Sequence, residues 1–212
     1  LKHESVEQIT LVDLDPEVTR LAKEHPMLVC LNDSSLFDHR VKVIHQDAHS
    51  FLEYLDGKTG LFDVIILDLP DPNNASLARL YSRDFYQLTQ TRLDLGGIVV
   101  TQATSPFFAR KAFWSINKTM QSAGYETKPY HISVPSFGEW GFIMASRQKL
   151  PSDLGWHLAK FLDSPLLQFL DHKLMNGIFN FAKDLQKLPV DESTIDSPVV
   201  LDYYLEGWRA WN

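Results

Sequence analysis

The residues with the clearest chemical potential follow an apolar run, where Phe62-Asp63-Val64-Ile65-Ile66-Leu67 leads into Asp68-Leu69-Pro70-Asp71-Pro72. The two prolines remove backbone donors and stiffen the turn, and two aspartates three residues apart can point into one crevice. Acids placed in this way form a clamp for an ammonium group, and a carboxylate beside an amine can also take up its proton. An ordinary Asp-Pro turn, with Asp71 bonding its own backbone, accounts for that residue without any ligand. It accounts for Asp68 poorly, because a carboxylate ending an apolar strand is costly to desolvate without a partner.

Two other runs end in acids. Leu11-Val12-Asp13-Leu14-Asp15 is followed by Pro16. A strand-end carboxylate can hold the vicinal hydroxyls of a ribose, since it accepts two hydrogen bonds. Asp15 serves equally well as a helix N-cap ahead of a proline, whereas Asp13 has no cap to make. In His45-Gln46-Asp47-Ala48-His49, Asp47 could accept from an adenine amino group, with Ala48 letting the base approach the backbone, or it could cap a helix; the two readings stand even. His45 and His49 share no helix face, so no metal site is expected.

These acids need a scaffold that brings strand ends together. Short β-branched runs alternate with stretches of helical period, the pattern of a mostly parallel sheet covered by helices. Six strands are expected, at residues 9–14, 41–45, 62–67, 98–102, 127–134 and 140–146. The third is almost wholly apolar, as a central strand buried on both faces should be. Asp15-Pro16 opens a first helix, a short one covers residues 49–55, and another runs over residues 81–92 into Gly96-Gly97. A further helix carries Phe113, Ile116, Met120 and Ala123 on one stripe and stops at Gly124. Pro135-Ser136-Phe137-Gly138 is short enough to make the last two strands antiparallel neighbours. Residues 1–150 therefore form an α/β domain, and residues 151–212 a C-terminal helical appendage anchored by Trp156, Trp208 and Trp211.

Composition sets the limits. With 212 residues, 44% of them hydrophobic, the chain can bury one substantial core. Lys and Arg total 20 against 27 acids, which argues against nucleic acid or another polyphosphate partner and suits a cationic one, although a charge of −7 also serves plain solubility. Cys30 is the sole cysteine, so no intrachain disulfide forms. No apolar stretch approaches the roughly 20 residues that span a bilayer. The chain opens at Leu1 in a polar stretch without a signal-peptide pattern and reads as part of a longer protein.

The order Asp13-Leu14-Asp15, Asp47-Ala48, Asp68-Leu69-Pro70-Asp71-Pro72, Leu80-Tyr81-Ser82-Arg83-Asp84-Phe85-Tyr86, Gln102 and Pro135-Ser136-Phe137-Gly138-Glu139-Trp140-Gly141-Phe142 resembles the spermidine synthase family over residues 6–146. The tail through Tyr203-Tyr204, Trp208 and Trp211 resembles members with an amino-terminal membrane region. The resemblance implies a Rossmann-like, class I methyltransferase-type sheet, of which the six strands would be all but the first; that strand and its Gly-rich turn are not supplied by these residues. It implies a cytoplasmic enzyme, membrane-tethered in its full-length form, that transfers the aminopropyl group of decarboxylated S-adenosylmethionine to a diamine such as putrescine. The products would be spermidine and methylthioadenosine. The decarboxylated compound is a co-substrate, there is no prosthetic group, and the assembly is a homo-oligomer, a dimer first.

The resemblance also carries roles. Asp68 is the catalytic base, and Asp71, Gln102 and Phe137 line the diamine site with it. Asp13, Asp47, Ala48 and Leu69 contact the nucleotide. Leu69-Pro70 stands where the family often has Ser or Thr, Phe137 near a frequent Tyr, and Asn73-Asn74-Ala75 where Gly-Pro is usual, departures that bear on diamine choice. An S-adenosylmethionine-dependent methyltransferase shares the sheet and the ribose acid, and a non-catalytic polyamine-binding domain would share the acid loop.

Overall fold

A computed structural model of the chain describes residues 1–55, 60–162 and 167–209. The chain divides into two compact units, Leu1–Thr59 and Gly60–Asn212. The side chain of Trp156, and all of Trp211, lie outside the described residues.

In the first unit, strand β1 (Ile9–Asp13) pairs in parallel with β2 (Val41–His45), with Asp13 opposite His45. Helix α1 (Pro16–Glu24) starts as its sequence demands: Asp15 accepts from the Glu17 backbone N–H at 2.8 Å and Pro16 sits in the first turn, where a missing N–H costs nothing. Helix α2 (Pro26–Leu31) follows, and α3 (Ala48–Tyr54) is capped by Asp47.

The second unit holds a four-stranded sheet in the order β3-β4-β6-β5, built from β3 (Phe62–Leu67), β4 (Leu93–Gln102), β5 (Glu126–Val134) and β6 (Gly138–Ser146). β3 and β4 run parallel, while β6 is antiparallel to both β4 and β5. Only β6 reverses direction, which is the mostly parallel sheet with an antiparallel last strand that the pattern predicts. The tight connection at Gly138, with φ +75°, makes the β5–β6 hairpin. β4 starts earlier than expected and takes in Gly96 and Gly97, where an irregular register with β3 falls between Phe62 and Val64. A side chain at Gly97 would strike Leu93 and the Asp63 carbonyl.

One expectation about position fails. β3 lies at the edge of its sheet and pairs only with β4 among the described residues; Val64 is 56% exposed and Ile66 73%. Apolar composition does not distinguish an edge strand from a central one, and the Val64/Ile66 face is left uncovered by the described elements.

Helix α4 (Ala75–Ala78) and a short turn at Arg79–Tyr81 lead into α5 (Arg83–Arg92), which starts two residues later than the sequence pattern suggests because Ser82 caps it through the Phe85 N–H. Helix α6 (Arg110–Ser122) buries Phe113, Ile116 and Met120 completely, and Gly124 at φ +98° ends it. Residues beyond the sheet belong to the same unit: α7 (Leu154–His157), α8 (Ala159–Leu162), α9 (His172–Gly177) and α10 (Val199–Arg209). Leu162, Met175 and Ile178 form a small core there with Tyr130 and Ile132 of β5. Among the described residues no helix is long and apolar enough to cross a membrane.

Candidate active site

Parallel pairing puts the carboxyl ends of β3 and β4 side by side, with Leu67 opposite Thr101. Asp68 and Gln102 therefore leave the sheet at the same edge, where ligands of α/β folds gather. Gln102, 6% exposed, organises this edge. Its Oε1 accepts from the Thr104 N–H at 2.9 Å and from Trp140 Nε1 at 3.2 Å. Both partners can only donate, so the orientation of the amide is fixed. Its Nε2 then faces the Leu69 carbonyl at 2.7 Å, Asp71 Oδ1 at 3.2 Å and the Tyr81 hydroxyl.

Tyr81 is fully buried and donates to the Pro70 carbonyl at 3.0 Å, with the Leu69 carbonyl at 3.3 Å. Burial pushes its phenol well above the ordinary value, with the charges of Tyr86 and Asp71 adding to the effect. It stays protonated and remains a donor. Gln102 and Tyr81 thus hold the turn by the Leu69 and Pro70 carbonyls, and a carbonyl is the only backbone group Pro70 can offer.

Asp71 is half-buried. Burial raises its pKa above the ordinary carboxylate value, and interactions with Gln102, Tyr204 and Thr104 oppose that rise. Thr104 contributes least of the three, and its buried Oγ1 completes no hydrogen bond. The Asp71 carboxyl is turned toward Gln102, not toward its own backbone, so the simple Asp-Pro turn does not account for it. Asp68 is exposed, and among the described residues its carboxylate makes neither a hydrogen bond nor an ion pair. This corrects the argument from desolvation: the strand before Asp68 is apolar, yet the carboxylate itself reaches solvent.

Thr104 carries a φ of +56°, an uncommon conformation for a β-branched residue. Its N–H serves Gln102, and its carbonyl accepts from the Gly141 N–H at 2.7 Å. Strain of this kind persists where neighbours over-determine it. Phe137, 58% exposed at the hairpin, packs against Trp140 with the two rings tilted at 39° and their centroids 5.1 Å apart, and Trp140 in turn bonds Gln102. Leu69 is half-buried and takes part through its carbonyl.

The first unit holds the other acids. Asp13 is not without local work: its Oδ1 accepts from the Asp15 N–H at 2.8 Å, the bond of an Asx turn, which overturns the expectation that it has nothing to cap. Its Oδ2 makes no hydrogen bond among the described residues. Asp47 takes the Ser50 N–H at 3.0 Å and the Ser50 hydroxyl at 3.2 Å, so the capping half of its even reading is realised. Ala48 is the first residue of α3. His45 Nε2 lies 2.7 Å from the buried Thr19 hydroxyl. Among the described residues no three potential ligands are grouped as a metal would need.

The structure brings together Asp71, Gln102 and Leu69, sets Asp68 beside them in sequence, and adds Tyr81 and Thr104. Sequence reasoning did not single out these last two as site residues. Tyr81 lies within the Leu80–Tyr86 motif, but an aromatic residue in a helical stretch gives no sign that its hydroxyl will reach a turn eleven positions earlier. Thr104 left no signal.

The sequence profile of the spermine/spermidine synthase domain matches residues 1–154. A polyamine aminopropyltransferase of Streptomyces coelicolor is 43% identical over the whole chain, which covers 38% of that protein. One of Oceanobacillus iheyensis is 40% identical over the whole chain, covering 40% of its length. The chain therefore spans about two-fifths of these curated relatives. Among solved structures, a spermidine synthase of Thermotoga maritima aligns over 87% of this chain and 62% of its own, with TM-score 0.70 and 23% identity. A spermidine synthase bound to the transition-state analogue AdoDATO gives TM-score 0.67 at 21% identity, over 87% of this chain and 61% of its own. At these identities the structural likeness speaks for the fold, an α/β arrangement of methyltransferase type.

Proposed function

The chain belongs to the spermine/spermidine synthase family, and from that premise we propose that it is the catalytic part of a polyamine aminopropyltransferase, moving the aminopropyl group of decarboxylated S-adenosylmethionine to a diamine such as putrescine. The observation that carries this reading is the acid pair of the proline turn. Among the described residues neither Asp68 nor Asp71 has a cationic side-chain partner, and Asp71 is held by neutral donors alone. Uncharged donors steady a carboxylate without spending its charge, which leaves that charge for an ammonium ion.

Asp68 is the group proposed to take the proton from the attacking amine. The amine nitrogen then forms a bond to the propyl carbon next to the sulfonium, and the carbon–sulfur bond breaks with its electron pair going to sulfur, giving neutral methylthioadenosine. Asp71 anchors the diamine, Gln102 fixes Asp71, and Phe137 with Trp140 supplies an aromatic border. Leu69, in the same turn, is read as a nucleotide contact. In the first unit, Asp13 is read as the ribose ligand through its free Oδ2, and Asp47 with Ala48 as the adenine contact. The decarboxylated co-substrate has no carboxylate, so an acid-lined site needs no arginine.

Resemblance of the tail to membrane-linked members supports a cytoplasmic catalytic part tethered to a membrane in the full protein. The family resemblance likewise supports a homodimer. The functional reading is tested by incubating the intact protein with decarboxylated S-adenosylmethionine and a panel of diamines. Equimolar methylthioadenosine and an aminopropylated amine support it. A methylated product formed only from S-adenosylmethionine, or spermidine binding without methylthioadenosine release, overturns it.

A further inference from the structure

His131 sits where the β5–β6 hairpin meets the residues that follow α9. Its backbone N–H donates to the Ile178 carbonyl at 3.0 Å, and its Nε2 lies 2.8 Å from the Asn180 carbonyl. A carbonyl only accepts, so Nε2 carries the hydrogen of that bond. Nδ1 meets the carboxyl of Glu139, its diagonal neighbour across the hairpin, where His131 pairs with Gly141 and Ser133 with Glu139. The imidazole also lies 4.5 Å from the ring of Phe181, which packs on Phe113 and Trp114 of α6. Glu139 is thus tied twice, by its side chain to His131 and by its carbonyl to the buried Ser105 hydroxyl at 2.6 Å. The next residue is Trp140, whose indole N–H reaches Gln102 and whose ring packs on Phe137.

We propose that His131 is a positioning residue of the amine site: through Glu139 it holds the tip of the hairpin, so that Trp140 meets Gln102 and the aromatic border keeps its place. The stretch to be held is short. Between Gly138, in the left-handed region at φ +75°, and Gly141, only Glu139 and Trp140 carry side chains. The indole bond, at 3.2 Å, is at the long end of its range and orients Gln102 only while the strand beneath it stays in place. Successive strand residues point to opposite faces, so the grip on Glu139 comes from the side of β6 away from Trp140. The same grip fastens the hairpin to the segment after α9 through the Ile178 and Asn180 carbonyls. The inference rests on the proposed reading of Phe137 and Trp140 as the border of the diamine site.

Steady-state kinetics of the intact enzyme with putrescine test it in His131→Phe, Glu139→Ala, Glu139→Gln, Trp140→Phe and the double variant of His131→Phe with Trp140→Phe. His131→Phe keeps a ring against Phe181 and removes both nitrogens, while Glu139→Ala removes the same contact from its half-buried end. In each the diamine KM rises roughly 3- to 10-fold, the factor carried by one net hydrogen bond, while kcat falls no more than about threefold. The KM for decarboxylated S-adenosylmethionine holds. Glu139→Gln keeps the diamine KM within about twofold of wild type, because its amide N–H donates to a neutral Nδ1 while Nε2 still donates to Asn180. Trp140→Phe raises the diamine KM by itself, and adding His131→Phe changes it no further. An unchanged diamine KM in His131→Phe and Glu139→Ala, while Trp140→Phe raises it, overturns the role of His131 alone. A rise in both KM values, or an effect that persists in the Trp140→Phe background, marks general loosening and overturns it too. Glu139→Gln as impaired as Glu139→Ala also overturns it, since Glu139 would then act by its charge. A diamine KM untouched by Trp140→Phe removes the aromatic border and this inference with it.

Discussion

Tyr81→Phe separates the support of the acid turn from the acids themselves. The hydroxyl is the donor to the Pro70 carbonyl at 3.0 Å and an acceptor from Gln102 Nε2, inside a fully buried ring environment. Without it, both hydrogens of the Gln102 amide still have acceptors in the Leu69 carbonyl and Asp71 Oδ1. The group left unpaired is the Pro70 carbonyl, on an exposed residue that water can reach. The loss is thus about 1–2 kcal/mol, short of the penalty for a sealed orphan. For a chain of this size that lowers Tm by roughly 2–8 °C. The kinetic consequence is larger than the stability loss suggests, because the turn keeps one anchor and loses the other. A displacement of about 1 Å at a reacting group can cost on the order of 100-fold. With the Gln102–Leu69 bond retained, a drop in kcat/KM of about 10-fold is expected. Thermal unfolding and steady-state kinetics at about pH 7.5, within the usual range of maximal stability, read both effects. A variant with wild-type Tm and wild-type kcat/KM would refute the reasoning that the tyrosine pins the turn.

Two other perturbations probe the same network. Burial raises the folded-state pKa of Asp71, so its stabilising protonated form is fully present below the unfolded carboxyl value and is lost as pH rises through the folded one. Asp71→Asn should therefore melt higher than wild type at pH about 8 and lose that advantage below about pH 4, while its diamine KM rises; a lower Tm at the alkaline end would contradict the burial argument. Gly141→Ala would press a Cβ onto the buried Phe113 ring and to within 2.9 Å of the Thr104 carbonyl. Overpacking there costs about 2–3 kcal/mol and disturbs the strained residue beside Gln102, visible as a lower denaturation midpoint with impaired turnover; an unchanged midpoint would show that Phe113 has room to move.

Much of this arrangement is legible in the sequence alone. Alternating apolar runs fix which strands end in acids, Asp15-Pro16 announces a helix start, and the Phe113, Ile116, Met120 stripe announces a buried helix face. Asp68 and Gln102 leave the sheet side by side because strands that follow one another through a helix pair in parallel, so their ends share an edge. What the sequence hides are contacts set by side-chain reach across long separations. Gln102 is 31 positions from Asp71 and 38 from Trp140, and no periodicity links the three. Edge or centre is hidden as well: the composition of β3 reads as double-sided burial, yet Val64 and Ile66 are open. The local bond from Asp13 to the Asp15 N–H is readable, since Asp-x-Asp at a strand end favours an Asx turn, but a ribose ligand calls for the same residue at the same place.

The central claim is that Asp68 takes the proton of the attacking amine in an aminopropyl transfer. The most direct measurement is methylthioadenosine release by the intact Asp68→Asn enzyme, set against calorimetric binding of methylthioadenosine. The account predicts turnover lower by about 10²- to 10⁴-fold with nucleotide binding within about threefold of wild type. Undiminished turnover in that variant would contradict it.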